Sequence, residues 1–472
     1  MSAWGKSGAP EPSARESATR IGKVGPGAPP APCLARILVL SEDKTRSREL
    51  SKFLRRQGYA TSAGDFSIAT RKLARDEHPD LALIDAGDAG DKACKIATAL
   101  IEGDAAHFPV VVLAENPSPA FRRRCLAAGI DDVVSAPASE TILLSRIRPL
   151  VRLAIMNTEL EQRAATARRL GIDVATAPVR RAGDETRRVI VTANMAENLA
   201  EIESALERDF ELATARDVFT AASMLHETPF DALVVVIEGN GEDALYFCGQ
   251  IRNNTRLFNL PALLVADRGA FESLDDPYRS GASAVLLRPL DETELQTTIE
   301  SLVRRQKLRS ATRGQLADIQ AKAGQGEVGG VYRRDFLLGH LDRLAAAAES
   351  WRKHLSLVSF QIQNLSWVAR DFGADAANDL LRQVAEWITV LVRAEDMVAR
   401  HGDNEFCVVL PDTAIEDAEV VAQRISGVVL NTQFGVAGTN DPVSAWLQAG
   451  CTDFRPGDTA ASLIARAHEN LR

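Results

Sequence analysis

Aromatic side chains make up only 5% of the 472 residues, and the six cysteines, Cys33, Cys94, Cys125, Cys248, Cys407 and Cys451, stand far apart. With no Cys-x-x-Cys pair and no histidine at metal-ligand spacing, neither a disulfide framework nor a zinc site is expected. The thiols read as reduced and mostly buried in a cytosolic protein. Long apolar runs are missing too. FPVVVLA and ALVVVI are strand-length, far short of the roughly 20 residues that a membrane helix needs, so no membrane insertion is expected. Basic charge is not in excess: 55 Lys and Arg face 64 Asp and Glu, a net charge of −9. That balance, without a long basic run, argues against nonspecific binding to anionic lipid or nucleic acid, and DNA is not an expected partner. Residues 1–33, rich in Gly, Ala, Pro and Ser, lack the apolar core of a secretory signal and read as a disordered tail.

What the chain does have is an internal repeat. Asp80, Pro109, Gly129 and Pro137, in PDLALIDAG, PVVVLA and GIDDVVSAP, have partners about 152 residues later at Asp231, Pro261, Gly281 and Pro289. RILVLSED and RVIVTAN are the matching first strands. Each copy alternates strand-length Val/Ile/Leu runs with amphipathic stretches of helical length, the pattern of a parallel sheet covered on both faces. Two doubly wound α/β domains are therefore expected, with functional groups at the carboxyl ends of the strands. The boundaries read as 34–155 for the first copy, 156–186 for a helical linker, 187–303 for the second copy, 304–327 for a linker helix polar on most faces, and 328–472 for a third, different unit.

The first repeat resembles the receiver domains of bacterial response regulators. Asp85, ending PDLALID, falls on the phosphoacceptor, and Glu42 and Asp43 fall on the acidic cluster that, with Asp85, would hold Mg²⁺ in such a domain. Ser41 replaces one carboxylate of that cluster, which weakens the expected Mg²⁺ site. Ala114 and Ala136 stand at the switch hydroxyl and lysine positions. The resemblance implies a histidine kinase or phosphotransferase as the partner of Asp85. In the second copy the acceptor is Val236 and the acidic cluster is Ala193-Asn194, so this copy is expected to serve as a dimerisation adaptor through its last helix-strand-helix face.

In the third unit, AANDLLRQVAEWITVLVR places Leu380, Leu381, Val384, Trp387, Ile388 and Leu391 on one helical face. RAEDMVARHGDNEFCVVLPDT follows, then Thr413 with Glu416 three residues on, a capping-box spacing. Gly402-Asp403-Asn404-Glu405-Phe406 resembles the motif of GGDEF domains, the nucleotidyl-cyclase-like α+β domains that condense two GTP into cyclic di-GMP. The order receiver, receiver, GGDEF resembles PleD-type response regulators over residues 35–472. Against that family's pattern, Gln361 stands for the strand aspartate, Ser366 for a lysine, Ala369 and Asn378 for guanine contacts, Asn404 for the motif's acidic third residue and Asp403 for its second glycine. The ASLIARAHENLR segment resembles the family's C-terminal helix, and the family's phosphate-binding lysine beyond it has no counterpart. The resemblance thus implies a degenerate cyclase domain that is not an enzyme.

A second feature of the family is retained. Arg393-Ala-Glu-Asp396 has the spacing of its allosteric RxxD site, in which arginine binds guanine or phosphate through two parallel hydrogen bonds and aspartate accepts from the guanine edge. Arg424 falls where the family has a second arginine for the ligand, and Arg188 on a receiver arginine that cross-links domains through it. The combination implies a homodimeric, cytoplasmic cyclic di-GMP effector resembling those that reside at the cell pole of alphaproteobacteria. These deliver the CtrA regulator, through a protease adaptor, to ClpXP. Two alternatives belong to other classes: a cyclase with residual activity, and a scaffold driven by phosphorylation of Asp85.

Overall fold

The computed structural model describes residues 32–67, 69–102, 108–174 and 186–472. The predicted tail, apart from its last two residues, and residues 175–185 of the predicted first linker lie outside the described residues. Cys33, assigned to the tail on sequence, is ordered: its N–H donates to the Arg352 carbonyl at 3.0 Å and it bridges Lys353 of the third domain. All six cysteines are free and five are buried.

In the first domain, β1 (Arg36–Ser41), β2 (Ala60–Gly64), β3 (Leu81–Gly87), β4 (Val110–Glu115) and β5 (Asp132–Ala136) form a parallel sheet in the order β2-β1-β3-β4-β5. Helices α1 (Lys44–Arg56), α2 (Ala69–Glu77), α3 (Gly90–Ile101), α4 (Pro119–Ala127) and α5 (Glu140–Arg169) cover its faces. The central strands are buried on both faces, as apolar runs such as LALID require. The second domain repeats this arrangement. Strands β6 (Arg188–Thr192), β7 (Glu211–Ala215), β8 (Ala232–Val236), β9 (Ala262–Ala266) and β10 (Ala284–Leu287) run in the order β7-β6-β8-β9-β10, with α6 (Ala196–Leu206), α7 (Val218–Glu227), α8 (Glu242–Asn253), α9 (Asp275–Arg279) and α10 (Glu292–Ala323). Both have the flavodoxin-like order.

The third domain is α+β. Strands β11 (Leu355–Ile362), β12 (Met397–Arg400), β13 (Glu405–Pro411) and β16 (Leu447–Asp453) form an antiparallel sheet ordered β12-β13-β11-β16, beside the short hairpin β14 (Gln433–Phe434) and β15 (Val443–Ser444). Its helices are α11 (Arg334–Trp351), α12 (Leu365–Phe372), α13 (Ala374–Leu391), α14 (Ile415–Leu430) and α15 (Ala460–Glu469). Period-two alternation divides the strands between two cores. Val358, Phe360, Phe406 and Val408 face α13 and α14, whereas Leu357, Cys407 and Val409 face the cluster built with α5, α10, α11 and α15. The capping box read from Thr413 and Glu416 does not form. Ala414 is the N-cap of α14, and the buried Thr413 hydroxyl instead donates to the Pro411 carbonyl at 2.9 Å.

The predicted linkers are continuations of domain helices. Helix α5 runs unbroken for 30 residues from its Ser139 cap and α10 for 32 from its Asp291 cap, and the two pack on each other. Leu308, Thr312, Leu316 and Ile319, in the stretch expected to be polar on most faces, are buried in that packing. Helices α4 and α5 of the first repeat pack on α10 and α9 of the second. Arg146 donates to the Ser283 carbonyl at 2.7 Å, Arg304 pairs with Asp131 at 3.0 Å and Arg122 with Glu294 at 3.1 Å. The last helix-strand-helix face, expected to serve a homodimer, is thus used inside one chain by the other repeat.

Candidate ligand site at the Arg393–Asp396 turn

Helix α13 stops at Leu391, and the chain turns through Arg393–Asp396 into β12. The turn closes on itself. Asp396 Oδ2 accepts from the Arg393 N–H at 2.8 Å, and the Asp396 N–H donates to the Arg393 carbonyl at 3.2 Å. Arg424, from α14, donates through Nη2 to the carbonyl of Leu391 at 2.7 Å, a cation on the C-terminal end of α13. The Arg393 side chain is exposed while Glu395 and Asp396 are buried. Three of the four residues assigned to the ligand on sequence therefore meet at one end of α13.

The buried half of the turn faces the first domain. Glu395 Oε1 pairs with Arg152 Nε at 2.9 Å, and its carbonyl accepts from Arg163 Nη2 at 2.6 Å, both arginines belonging to α5. Asp396 Oδ1 and Glu395 Oε2 are buried with no hydrogen-bond donor among the described residues. A buried acceptor left unpaired costs roughly 1–3 kcal/mol, more when charged, so these oxygens mark a place where incoming donors would be favoured. Burial, and then the Glu395 charge, push the Asp396 carboxyl up to about 7 against the pull of Arg393 and Arg152.

Under the turn lies a buried polar network that joins α5 to α11. Arg163 Nε donates to Glu159 Oε1 at 2.7 Å, His340 Nε2 meets the same oxygen at 2.8 Å, and Thr166 Oγ1 lies 3.3 Å from His340 Nδ1. Although burial opposes it, His340 and Arg163 hold the Glu159 carboxyl below the ordinary range. Farther along the seam, Lys353 reaches Asp80 at 2.8 Å and Asp412 at 3.5 Å. Burial pushes the Asp412 carboxyl up to about 7, with Lys353 opposing and Asp80 adding to the rise.

The fourth assigned ligand residue, Arg188, stands apart. Its side chain pairs with Glu211 at 3.2 Å and lies over the Phe230 ring at 5.2 Å, contacts within its own repeat. At the phosphoacceptor position, Asp85 is buried at the end of β3. Its Oδ1 forms an ion pair with Arg46 at 2.8 Å and its Oδ2 accepts from Ser41 Oγ at 2.9 Å. The carboxylates assigned to Mg²⁺ do not converge: Glu42 is exposed and pairs with Lys92 at 3.2 Å, while Asp43 caps α1 by accepting from Thr45 and Arg46 N–H groups. This set, with Arg46 already on Asp85, does not fit a hard cation that needs several oxygens at about 2.1 Å.

The turn Gly402–Asn404 joins β12 to β13, and Arg400 donates to the carbonyls of Gly402 and Asp403 at 3.0 and 3.1 Å. Asn404 Nδ2 donates to the Ile362 carbonyl at 2.9 Å, and Gln361 accepts from Gln363 at 2.7 Å. Glu405 is buried opposite Gln361 in the ladder. Residues 323–472 match the family described as diguanylate cyclase, GGDEF domain. The chain is PleD-like and carries a GGDEF domain. It is 28% identical over 447 residues to the response regulator PleD of Caulobacter vibrioides, covering 93% of this chain and 96% of that protein. Among solved structures, the FimX GGDEF domain from Pseudomonas aeruginosa is 26% identical, covering 31% of this chain and 90% of that one with a TM-score of 0.30. The GGDEF domain of DgcB from Caulobacter crescentus, solved with c-di-GMP, is 22% identical, covering 30% and 81%, with a TM-score of 0.29. The layout is receiver, receiver, GGDEF.

Around this GGDEF domain, sequence reasoning missed Glu395, Arg152 and Arg163, which hold the Arg393–Asp396 turn to α5. One signal was available in ELEQR, where Glu159 and Arg163 have the i, i+4 spacing of a helical ion pair. In a stretch read as a charged linker, that spacing pointed to solvent instead of to another domain. No helix among the described residues is long and apolar enough to cross a membrane.

Proposed function

We propose that this PleD-like response regulator is a non-catalytic cyclic di-GMP receptor of the PopA type, which signals through the orientation of its GGDEF domain and through partner recruitment. The observation that carries the reading is the Arg393–Asp396 turn: an exposed guanidinium, a second arginine at Leu391, and a buried carboxylate oxygen without a donor among the described residues. Guanine offers N1–H and N2–H₂ donors to such a carboxylate and N7/O6 acceptors to arginine, contacts worth roughly 1–3 kcal/mol per bidentate pair. Because Asp396 is buried beside Glu395, which α5 grips, these donors reach it when the turn loosens from the first receiver. Ligand binding and domain orientation are then one equilibrium, and the ligand shifts it by its differential affinity for the two arrangements.

Absence of catalysis is supported by the donor set at the motif. Two-metal phosphoryl transfer needs carboxylates around both cations. Here Gln361 and Asn404 are amides engaged with neighbours, and Glu405 already accepts from Ser359 at 2.7 Å and lies 3.0 Å from His401. That set does not fit two Mg²⁺ ions. In the same reading Asp85 serves as the phosphoacceptor only once Arg46 releases it. The downstream role is delivery of a CtrA-like regulator to ClpXP through an adaptor, on the resemblance of the whole arrangement to PopA-type effectors. Incubation with GTP and Mg²⁺, followed by nucleotide chromatography, together with equilibrium dialysis against cyclic di-GMP, tests the reading. Retained cyclic di-GMP without product formation is expected, and steady production of cyclic di-GMP would return the chain to the cyclases.

A further inference from the structure

Glu405 and Cys407 are two apart on β13, so both side chains leave the same face of the strand. His401 stands just before the Gly402–Asn404 turn, and its N–H donates to the Glu405 carbonyl at 3.0 Å, which folds its ring back over that face. His401 Nδ1 lies 3.0 Å from Glu405 Oε2, and His468 Nε2, from the last turn of α15, lies 3.7 Å from the same oxygen. The donor atoms of His401, Glu405 and Cys407 all fall within 4.8 Å of one another, in the one such group of three or more among the described residues.

We propose that His401, Glu405, Cys407 and His468 bind a transition metal of the Zn²⁺ type. Two imidazoles, a carboxylate and a thiolate are the ligands Zn²⁺ takes in four-coordinate sites, whereas Mg²⁺ and Ca²⁺ take oxygen alone. Ligand bonds of 2.0–2.3 Å in a tetrahedron put neighbouring donors roughly 3.3–3.8 Å apart, so the His401, Glu405 and Cys407 set closes with a contraction of about 1 Å, and His468, already 3.7 Å from Glu405 Oε2, joins it by side-chain rotation. The outer arrangement also suits a metal. Ser359 Oγ donates to Glu405 Oε1 at 2.7 Å, which fixes the carboxylate and leaves Oε2 aimed at the two imidazoles. Cys407 is fully buried and Glu405 nearly so, while His401 and His468 are 19% and 47% exposed, which gives an ion a path from solvent. On binding, the Cys407 thiol proton passes to solvent and the thiolate bonds the metal, with no redox change.

Four protein ligands close the coordination sphere, which makes the site structural. It ties the β12–β13 turn, which carries Gly402–Phe406, to α15. The expectation from sequence that no zinc site exists rested on close Cys and His spacing. Here the fold assembles the donors, because His468 comes from a helix far along the chain that packs on the sheet and brings its Nε2 to within 3.7 Å of Glu405 Oε2.

The test is titration of the full chain, stripped with EDTA, with Co²⁺. One equivalent is expected to give the intense near-ultraviolet band of cobalt–thiolate charge transfer with tetrahedral visible bands, both bleached by Zn²⁺. Cys407→Ser removes the charge-transfer band, and the more exposed His468→Ala weakens Co²⁺ binding at least about tenfold without touching the core. Binding that leaves no thiolate band, or spectra unchanged in both variants, would overturn the proposal, as would no uptake of Co²⁺ by the folded chain.

Discussion

Asp396 couples its protonation to stability and, in the proposed function, to ligand binding. Burial raises its carboxyl to about 7 in the folded chain, against an unfolded value near 3.9. A group raised on folding contributes stability that is complete below its unfolded value and lost as pH rises through the folded one. The urea midpoint should therefore fall between pH 5 and pH 8, less steeply in Asp396→Asn. Binding runs the other way, because guanine needs the ionised acceptor. Calorimetric affinity for cyclic di-GMP should be about tenfold weaker at pH 6 than at pH 8, and Asp396→Asn should bind weakly at both. Glu159 is the opposite case, a buried carboxylate that neutralises Arg163 and faces His340. Glu159→Ala leaves the arginine buried and unpaired, and should cost about 3–5 kcal/mol in urea unfolding.

Helices α5 and α10 carry much of the packing between the domains. The helical character of both linkers was legible, and so was the amphipathic face of α13, whereas the Ser139 and Asp291 caps emerge only in the structure. What the ELEQRAATARRL stretch concealed is that its charges are satisfied by other domains: Glu159 by His340 of α11, and Arg163 by the Glu395 carbonyl. Local pattern reads such a stretch as solvated, since the groups from the third domain that complete the network are 181 and 232 residues away. Arg152→Ala removes the ion pair to Glu395 and should loosen the turn on α5, leaving the Arg163 bond to the Glu395 carbonyl in place. Amide exchange of residues 393–397 should rise by about tenfold or more, consistent with roughly 1.5–3 kcal/mol for a hydrogen bond to a charged group, while exchange in β8 and β9 stays unchanged.

At the scale of the molecule, the repeat was readable because four short apolar segments recur at one offset, and each recurrence is a strand of the same sheet order. The third domain was readable from Gly402–Phe406 and from the face of α13. The placement of Arg188 was not, because alignment gives an arginine a position but not the partners Glu211 and Phe230 that hold it. The use of the α4-β5-α5 face inside one chain was equally hidden, since it depends on two repeats meeting and not on either alone. The outcome is a chain whose GGDEF domain leans on the first receiver through Glu395, within the turn proposed to bind the ligand. Calorimetric titration of the full chain with cyclic di-GMP at pH 8, beside Arg393→Ala, tests that account most directly. Saturable binding that falls by tenfold or more in the variant is predicted. Equal binding by both proteins, or none by the wild type, would contradict it.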